Sequence, residues 1–197
     1  IRTPEVRLEL ADTPFPVALL QRFDRRGSAR IPYISARTAL GKTGTDRGAY
    51  TEIVDFMRTA SADPKADFRE LYSRLVFTIL VSNKDDHLKN HGFLYVGGGR
   101  WRLSPVFDVN PAPDRNPYLE TAILEGGAHD RSIRLALDAC DFFEIAEPDA
   151  RRIIREIAQR ISDGWREALR QVGVTGSLAR DYEPAFLNAE TEIAMAL

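Results

Sequence analysis

The chain has 197 residues, of which 44% are hydrophobic and 28% charged, the balance of one soluble globular domain with a substantial core. A formal net charge of −2 supplies no global basic field, so composition gives no support for nucleic-acid binding. No apolar run approaches the ~18 residues of a membrane span, no signal peptide is visible, and the single cysteine, Cys140, cannot form an internal disulfide, which together suit a reduced, cytoplasmic protein.

The chain opens at Ile1 rather than methionine, and the expectation is a fragment whose N-terminal part is missing. EVRLEL (5–10) alternates apolar and charged residues, ADTPFP (11–16) supplies a turn, and VALLQRFDRR (17–26) reads as a second, more buried strand; together they predict a β-hairpin. Residues 27–48 read as loop with a short helix around SARTALG. A helix over 49–60 would show an apolar face of Tyr50, Ile53, Val54 and Met57. Over 66–82, Phe68, Leu71, Tyr72, Leu75, Val76, Ile79 and Leu80 fall at helical spacing, which predicts a helix buried along much of its length. GFLYV-GGG-RWRLS (92–104) reads as a second hairpin. Residues 112–131 look irregular, 132–145 and 148–172 helical with Pro148 in a first turn, and a last helix is expected over 179–196. Cys140 is expected as a small buried hydrophobe.

The chemistry concentrates in VSNKDDHLKNHGFLY (81–95), between the buried helix and the second hairpin. A tight hairpin returns its end close to its start, so Asp85, Asn90 and Asp108 of SPVFDVNP can converge. Phosphoryl transfer from ATP uses such a set: an aspartate orients the attacking hydroxyl and accepts its proton, while an asparagine and a second aspartate hold Mg²⁺ through hard oxygens. The protein-kinase catalytic loop spaces its base and metal-binding asparagine as Asp85 and Asn90 are spaced here. Asp108 stands after a phenylalanine where the kinase DFG aspartate would stand, although Val109 replaces the glycine.

SNKDDHLKNHGFLY followed by WRLSPVFDVNPAP resembles the HipA family of bacterial serine/threonine kinases, whose catalytic loop has the form D-x-H-x-K-N and whose metal aspartate lies in L-[ST]-P-x-[FY]-D. QRFDRR (21–26) is similar to that family's ERFDR hinge. The resemblance implies an α+β fold, a mostly helical protein-kinase-like C-terminal lobe with an N-terminal β-hairpin and hinge and a catalytic-loop β-hairpin. Residues 1–24 would be the remnant of the N-lobe and hinge, and 25–197 the helical C-lobe. Asp85 would be the catalytic base, with His87 and Lys89 beside the transferring phosphate and Asn90 and Asp108 as Mg²⁺ ligands. Backbone groups of Gln21 and Phe23 would meet adenine, and Asp24 would lie near the ribose. The phosphate loop, its lysine and the family's regulatory serine would lie upstream, so this fragment should bind ATP weakly and turn over poorly. The family further implies a toxin of a toxin–antitoxin pair, a protein substrate such as an aminoacyl-tRNA synthetase, and a HipB-like DNA-binding antitoxin.

Competing readings are a metal-dependent hydrolase built on Asp85, His87, His91 and Asp108, and an inactive kinase-shaped interaction module. His87 and His91 could pair on zinc at i, i+4, but Gly92 argues against a helix holding both. Asp86 and His91 read as bystanders. GKTGT (41–45) lacks the first glycine of a phosphate loop, Ala36 standing in its place, and GGG at 97–99 is a turn. The charged face of RRIIREIAQR reads as solvated.

Overall fold

In the computed structural model, which describes residues 1–10, 13, 15–113 and 118–197, the alternating N-terminal stretch pairs as expected. β1 (Val6–Glu9) runs antiparallel to β2 (Val17–Leu20), Val6 opposite Leu20. Three residues of the intervening turn, Ala11, Asp12 and Pro14, lie outside the described residues. The burial of β2 departs from expectation: all four of its residues are exposed, because a two-stranded ribbon covers neither of its own faces. A minimal hairpin follows, β3 (Arg25–Arg26) with β4 (Ala29–Arg30).

β5 (Tyr33–Ser35) is an element the sequence did not announce. It is the outer strand of a three-stranded antiparallel sheet whose centre is β6 (Gly92–Gly97) and whose far edge is β7 (Arg100–Leu103). Ser35 pairs with Gly92, and a side chain at Gly92 would collide with the Tyr33 ring, which lies within 2.6 Å of where its Cβ would stand. Any larger residue here would have to push the exposed Tyr33 ring aside. Ser35 also caps α1 (Ala36–Ala39), its Oγ accepting from Thr38 N–H at 3.3 Å.

The expected helices form around one buried axis. α2 (Tyr50–Ala60) buries Tyr50, Ile53, Val54 and Met57, and Glu52 reaches back to accept from Ala49 N–H at 2.9 Å. α3 (Pro64–Leu80) begins on an Asp63 cap and buries its whole predicted stripe, from Phe68 to Leu80. α5 (Glu147–Gln171) packs against α3 and buries Ile153, Ile154, Ala158, Ile161 and Trp165, the last stacked on Phe186. Its outer face carries the expected solvated charges in pairs such as Arg151–Glu147 and Arg152–Asp149. Cys140 is buried and free.

Two expected helices are broken. The stretch 132–145 divides into α4 (Ile133–Asp138) and a 3₁₀ turn, Cys140–Phe143, closed by Glu144 in the left-handed region at φ 56°. The last helix divides into α6 (Gly176–Phe186) and α7 (Ala189–Ala196). Asn188 makes the break: its Oδ1 accepts from Glu190 and Thr191 N–H at 3.1 and 3.3 Å, while its Nδ2 donates to Leu80 O at 3.1 Å. A side chain that caps a new helix and satisfies the end of α3 outcompetes helix continuation. Among the described residues, no helix is long and apolar enough to cross a membrane.

Candidate active site

The site begins where α3 stops. Ser82 takes the left-handed conformation at φ 57°, its N–H bonding to Ile79 O at 3.2 Å and that of Asn83 to Thr78 O at 3.0 Å. This is a Schellman closure made with serine instead of glycine, and it turns the chain sharply into the loop. Asp85 then points outward with its side chain 71% exposed, His87 Nε2 lying 3.9 Å from its carboxylate. Lys89 is exposed, while Asn90 is 6% exposed and donates from Nδ2 to Asp85 O at 2.9 Å. Asp85 and Asn90 are thus held directly across the loop from one another.

The second hairpin brings the chain back as expected, with Ser104 N–H bonding to Gly92 O at 2.7 Å. Asp108 follows in the left-handed region at φ 56°, exposed, with Asn110 Nδ2 donating to its Oδ1 at 3.1 Å. Asn110 N–H in turn meets the Oδ1 of fully buried Asn83 at 3.4 Å, which ties the Asp108 turn to the start of the loop. Phe107 and Val109, on either side of Asp108, line one small crevice with Asn90, Asp86 and His91. The amide oxygen of Asn90 and the carboxylate of Asp108 are hard oxygen donors, the chemistry Mg²⁺ prefers, with phosphate oxygens and water completing its shell. The residues present therefore fit that ion.

Gln21, Phe23 and Asp24 line a separate cavity of about 320 Å³ together with Pro4, Leu20, Arg22, Tyr33 and Phe107. Phe23 sits 5.8 Å from Phe107 and 6.2 Å from Tyr33, centroid to centroid. The N–H of Gln21 is committed to Glu5 O at 2.9 Å, which leaves its carbonyl as the backbone group able to serve a base. Asp24 is clamped by Arg22 at 2.6 Å and Arg25 at 3.0 Å, and the hydrogen bond from Arg22 holds its carboxyl below the ordinary range. Phe107 lines both this cavity and the crevice beside Asn90.

The two expected bystanders are not solvated. Asp86 and His91 are 4% and 3% exposed, His91 Nε2 lies 3.2 Å from Asp86 Oδ1, and Tyr50 donates its hydroxyl to Asp86 Oδ2. Burial pushes the Asp86 carboxyl up, but His91 standing beside it and the hydrogen bond from Tyr50 outweigh that and hold the group below its ordinary value. His91 thus faces Asp86 in the interior rather than sharing a metal with His87. Among the described residues no three His, Cys, Asp or Glu side chains cluster as a metal site, so the hydrolase set is not assembled. Sequence reasoning missed Tyr50, Asn83 and Thr121, whose hydroxyl donates to Asp86 O at 2.6 Å; nothing local to the loop signals them.

A family model described as the HipA-like C-terminal domain matches residues 1–165. Among curated proteins, one from Haemophilus influenzae, whose name assigns it only provisionally as a kinase, is 30% identical over 109 residues, 49% of this chain and 32% of that protein. A similarly named protein of Sinorhizobium fredii is 26% identical over 176 residues, 84% of this chain and 36% of that protein. The chain therefore spans about a third of the length of these curated relatives. Among solved structures, a complex of the Shewanella oneidensis toxin–antitoxin system, HipA and HipB with operator DNA, matches with a TM-score of 0.76 at 16% identity, over 100% of this chain and 54% of that one. The likeness shows the fold: α+β, mostly helical, of the protein-kinase C-terminal-lobe type.

Proposed function

Because the chain belongs to the HipA-like C-terminal domain family, we propose that it carries the catalytic loop, metal ligands and hinge of an ATP- and Mg²⁺-dependent kinase that phosphorylates serine or threonine of a protein. The observation that carries this reading is the shared wall: Phe107 borders both the hinge cavity and the crevice beside Asn90. A nucleotide with its base against Phe23 would direct its phosphates toward Asn90 and Asp108.

In this reading Asp85 orients the substrate hydroxyl and accepts its proton, which the exposure of its carboxylate allows. His87 and Lys89 lie beside the transferring phosphate. Asn90 and Asp108 hold the metal, which when bound neutralises charge on the phosphates. The Gln21 carbonyl and Phe23 backbone serve adenine, and Asp24 approaches the ribose. Residues 1–24 belong to the N-lobe and hinge, and 25–197 form the C-lobe. The structural neighbour is complexed with HipB and operator DNA, which supports a HipB-like antitoxin as partner and a toxin–antitoxin setting; a protein substrate of the aminoacyl-tRNA synthetase kind follows from the family resemblance.

The test is Asp85→Ala in the protein as encoded, assayed with Mg·ATP and a hydroxyl-bearing protein acceptor. Phosphoryl transfer should fall by about a thousandfold, the scale of losing a general base and its orienting contact, while the melting temperature stays put. Undiminished transfer would remove the reading.

A further inference from the structure

We propose that Asp86 is a positioning residue, whose buried carboxylate fixes which way Asp85 faces and how far Asn90 stands from it. The role assigned to Asp85 rests on the kinase reading above; the way Asp85 is held rests on geometry alone.

Asp85 and Asp86 are adjacent carboxylates with opposite fates. The first has a side chain 71% exposed and the second is 4% exposed. Neither helix nor turn spans 83–87, so no local hydrogen-bond ladder decides this facing. What decides it lies in three separate segments. Tyr50, the first residue of α2, donates to Asp86 Oδ2; His91 Nε2 stands 3.2 Å from Oδ1; and the Thr121 hydroxyl donates to the Asp86 carbonyl at 2.6 Å.

Two rungs consequently cross the loop side by side. Asn90 Nδ2 donates to Asp85 O at 2.9 Å, and one residue further His91 faces the Asp86 carboxylate. The outer rung joins the two groups that meet substrate and metal, and the inner rung nails it to the core through Tyr50. His91 is itself held, its carbonyl accepting from Ala36 N–H at 2.7 Å and its ring edge-on to Tyr50 at 5.1 Å. Replacing a whole buried ion pair by apolar groups is often neutral, so stability alone does not call for a charged pair here. The grip of Asp86 on both ends of the loop is what the geometry singles out.

The test compares Asp86→Asn and Tyr50→Phe with the parent in the protein as encoded, by amide hydrogen exchange and by steady-state kinetics. Asp86→Asn keeps the shape and removes the charge. The melting temperature should fall by several degrees, as for any buried carboxylate that loses its charge, and exchange across 83–91 should quicken by about tenfold or more beyond any change in α3. In the same variant kcat should fall by about tenfold or more, with KM for Mg·ATP changing less. Should Asp86→Asn fail to fold, Tyr50→Phe carries the same comparison. Unchanged exchange in the loop overturns the proposal, and so does a uniform rise that includes α3, which would mark a general core role. Loop-confined loosening in a parent without phosphoryl transfer would support the positioning and count against the kinase reading only.

Discussion

Asp67 offers the sharpest test of how the hairpin leading to Asp108 is anchored. Its carboxylate is fully buried in the first turn of α3 and accepts from Ser61 Oγ at 2.7 Å, from Arg102 Nε at 3.0 Å and from Leu103 N–H at 3.2 Å. One side chain thus joins the end of α2, the start of α3 and strand β7. Asp67→Ala would orphan a buried backbone N–H and a buried hydroxyl, at roughly 1–3 kcal/mol each, and would strip a charged partner from Arg102. A fully buried broken ion pair costs about 3–5 kcal/mol, but the Arg102 side chain is 31% exposed, so water recovers part of that loss. The contributions overlap, and a net destabilisation of about 4 kcal/mol follows. At roughly 2–4 °C per kcal/mol for a domain of this size, the melting temperature should fall by about 8–16 °C. Asp67→Asn keeps one acceptor oxygen and should lose about half as much. Thermal unfolding followed by far-UV circular dichroism reads both. A drop under about 4 °C for the alanine variant would mean that water replaces the carboxylate and that β7 is held elsewhere.

Three further outcomes follow from the site and its surroundings. Asp108→Asn should abolish the Mg²⁺ dependence of nucleotide binding without lowering the melting temperature, because asparagine tolerates the left-handed backbone at this exposed position; calorimetric titration with Mg·ATP that matches the parent would refute the ligand role. Phe107→Ala should weaken ATP binding by about 3- to 10-fold, the scale of one aromatic contact, and an unchanged dissociation constant would separate the hinge cavity from the metal crevice. Glu70 gives a pH prediction: burial pushes its carboxyl up, but Arg74 at 2.7 Å and the Arg2 N–H at 2.9 Å outweigh this and hold it below the ordinary 4.5. A carboxyl depressed on folding stabilises above its unfolded value and loses that contribution as pH falls through its folded value. Urea midpoints of Glu70→Gln should therefore lie below the parent's at pH 7 and converge with them on acidification, whereas a gap independent of pH would contradict the assignment.

What could be read from residue order alone was what local spacing decides. The α3 stripe fills a complete helical period, so its burial from Phe68 to Leu80 followed from the pattern. The triple glycine dictated a hairpin, and the gap from Asp85 to Asn90 marked the loop. The failures share a different cause, that each depends on a partner far along the chain. β5 exists because Ile34 and Ser35 find Phe93 and Gly92. Asn188 breaks the last helix because Leu80 O is waiting for its amide, 108 positions away. The exposed face of β2 reads as a core strand because its apolar residues carry no record of whether anything covers them.

The Asp85–Asp86 pair shows why such partners matter more for function than for fold. Two identical side chains in succession look interchangeable, and spacing assigns the base to the first only by analogy with the kinase loop. In the folded chain the two are made different by Tyr50, 36 positions upstream, and by Thr121, 35 positions downstream. A shift of one residue in that grip would bury Asp85 and expose Asp86, and it would also separate Asn90 from the backbone carbonyl it now bonds. The motif therefore specifies which residue types are present, while the packing of α2 and of the 118–125 segment against the loop specifies which of the two aspartates meets the solvent.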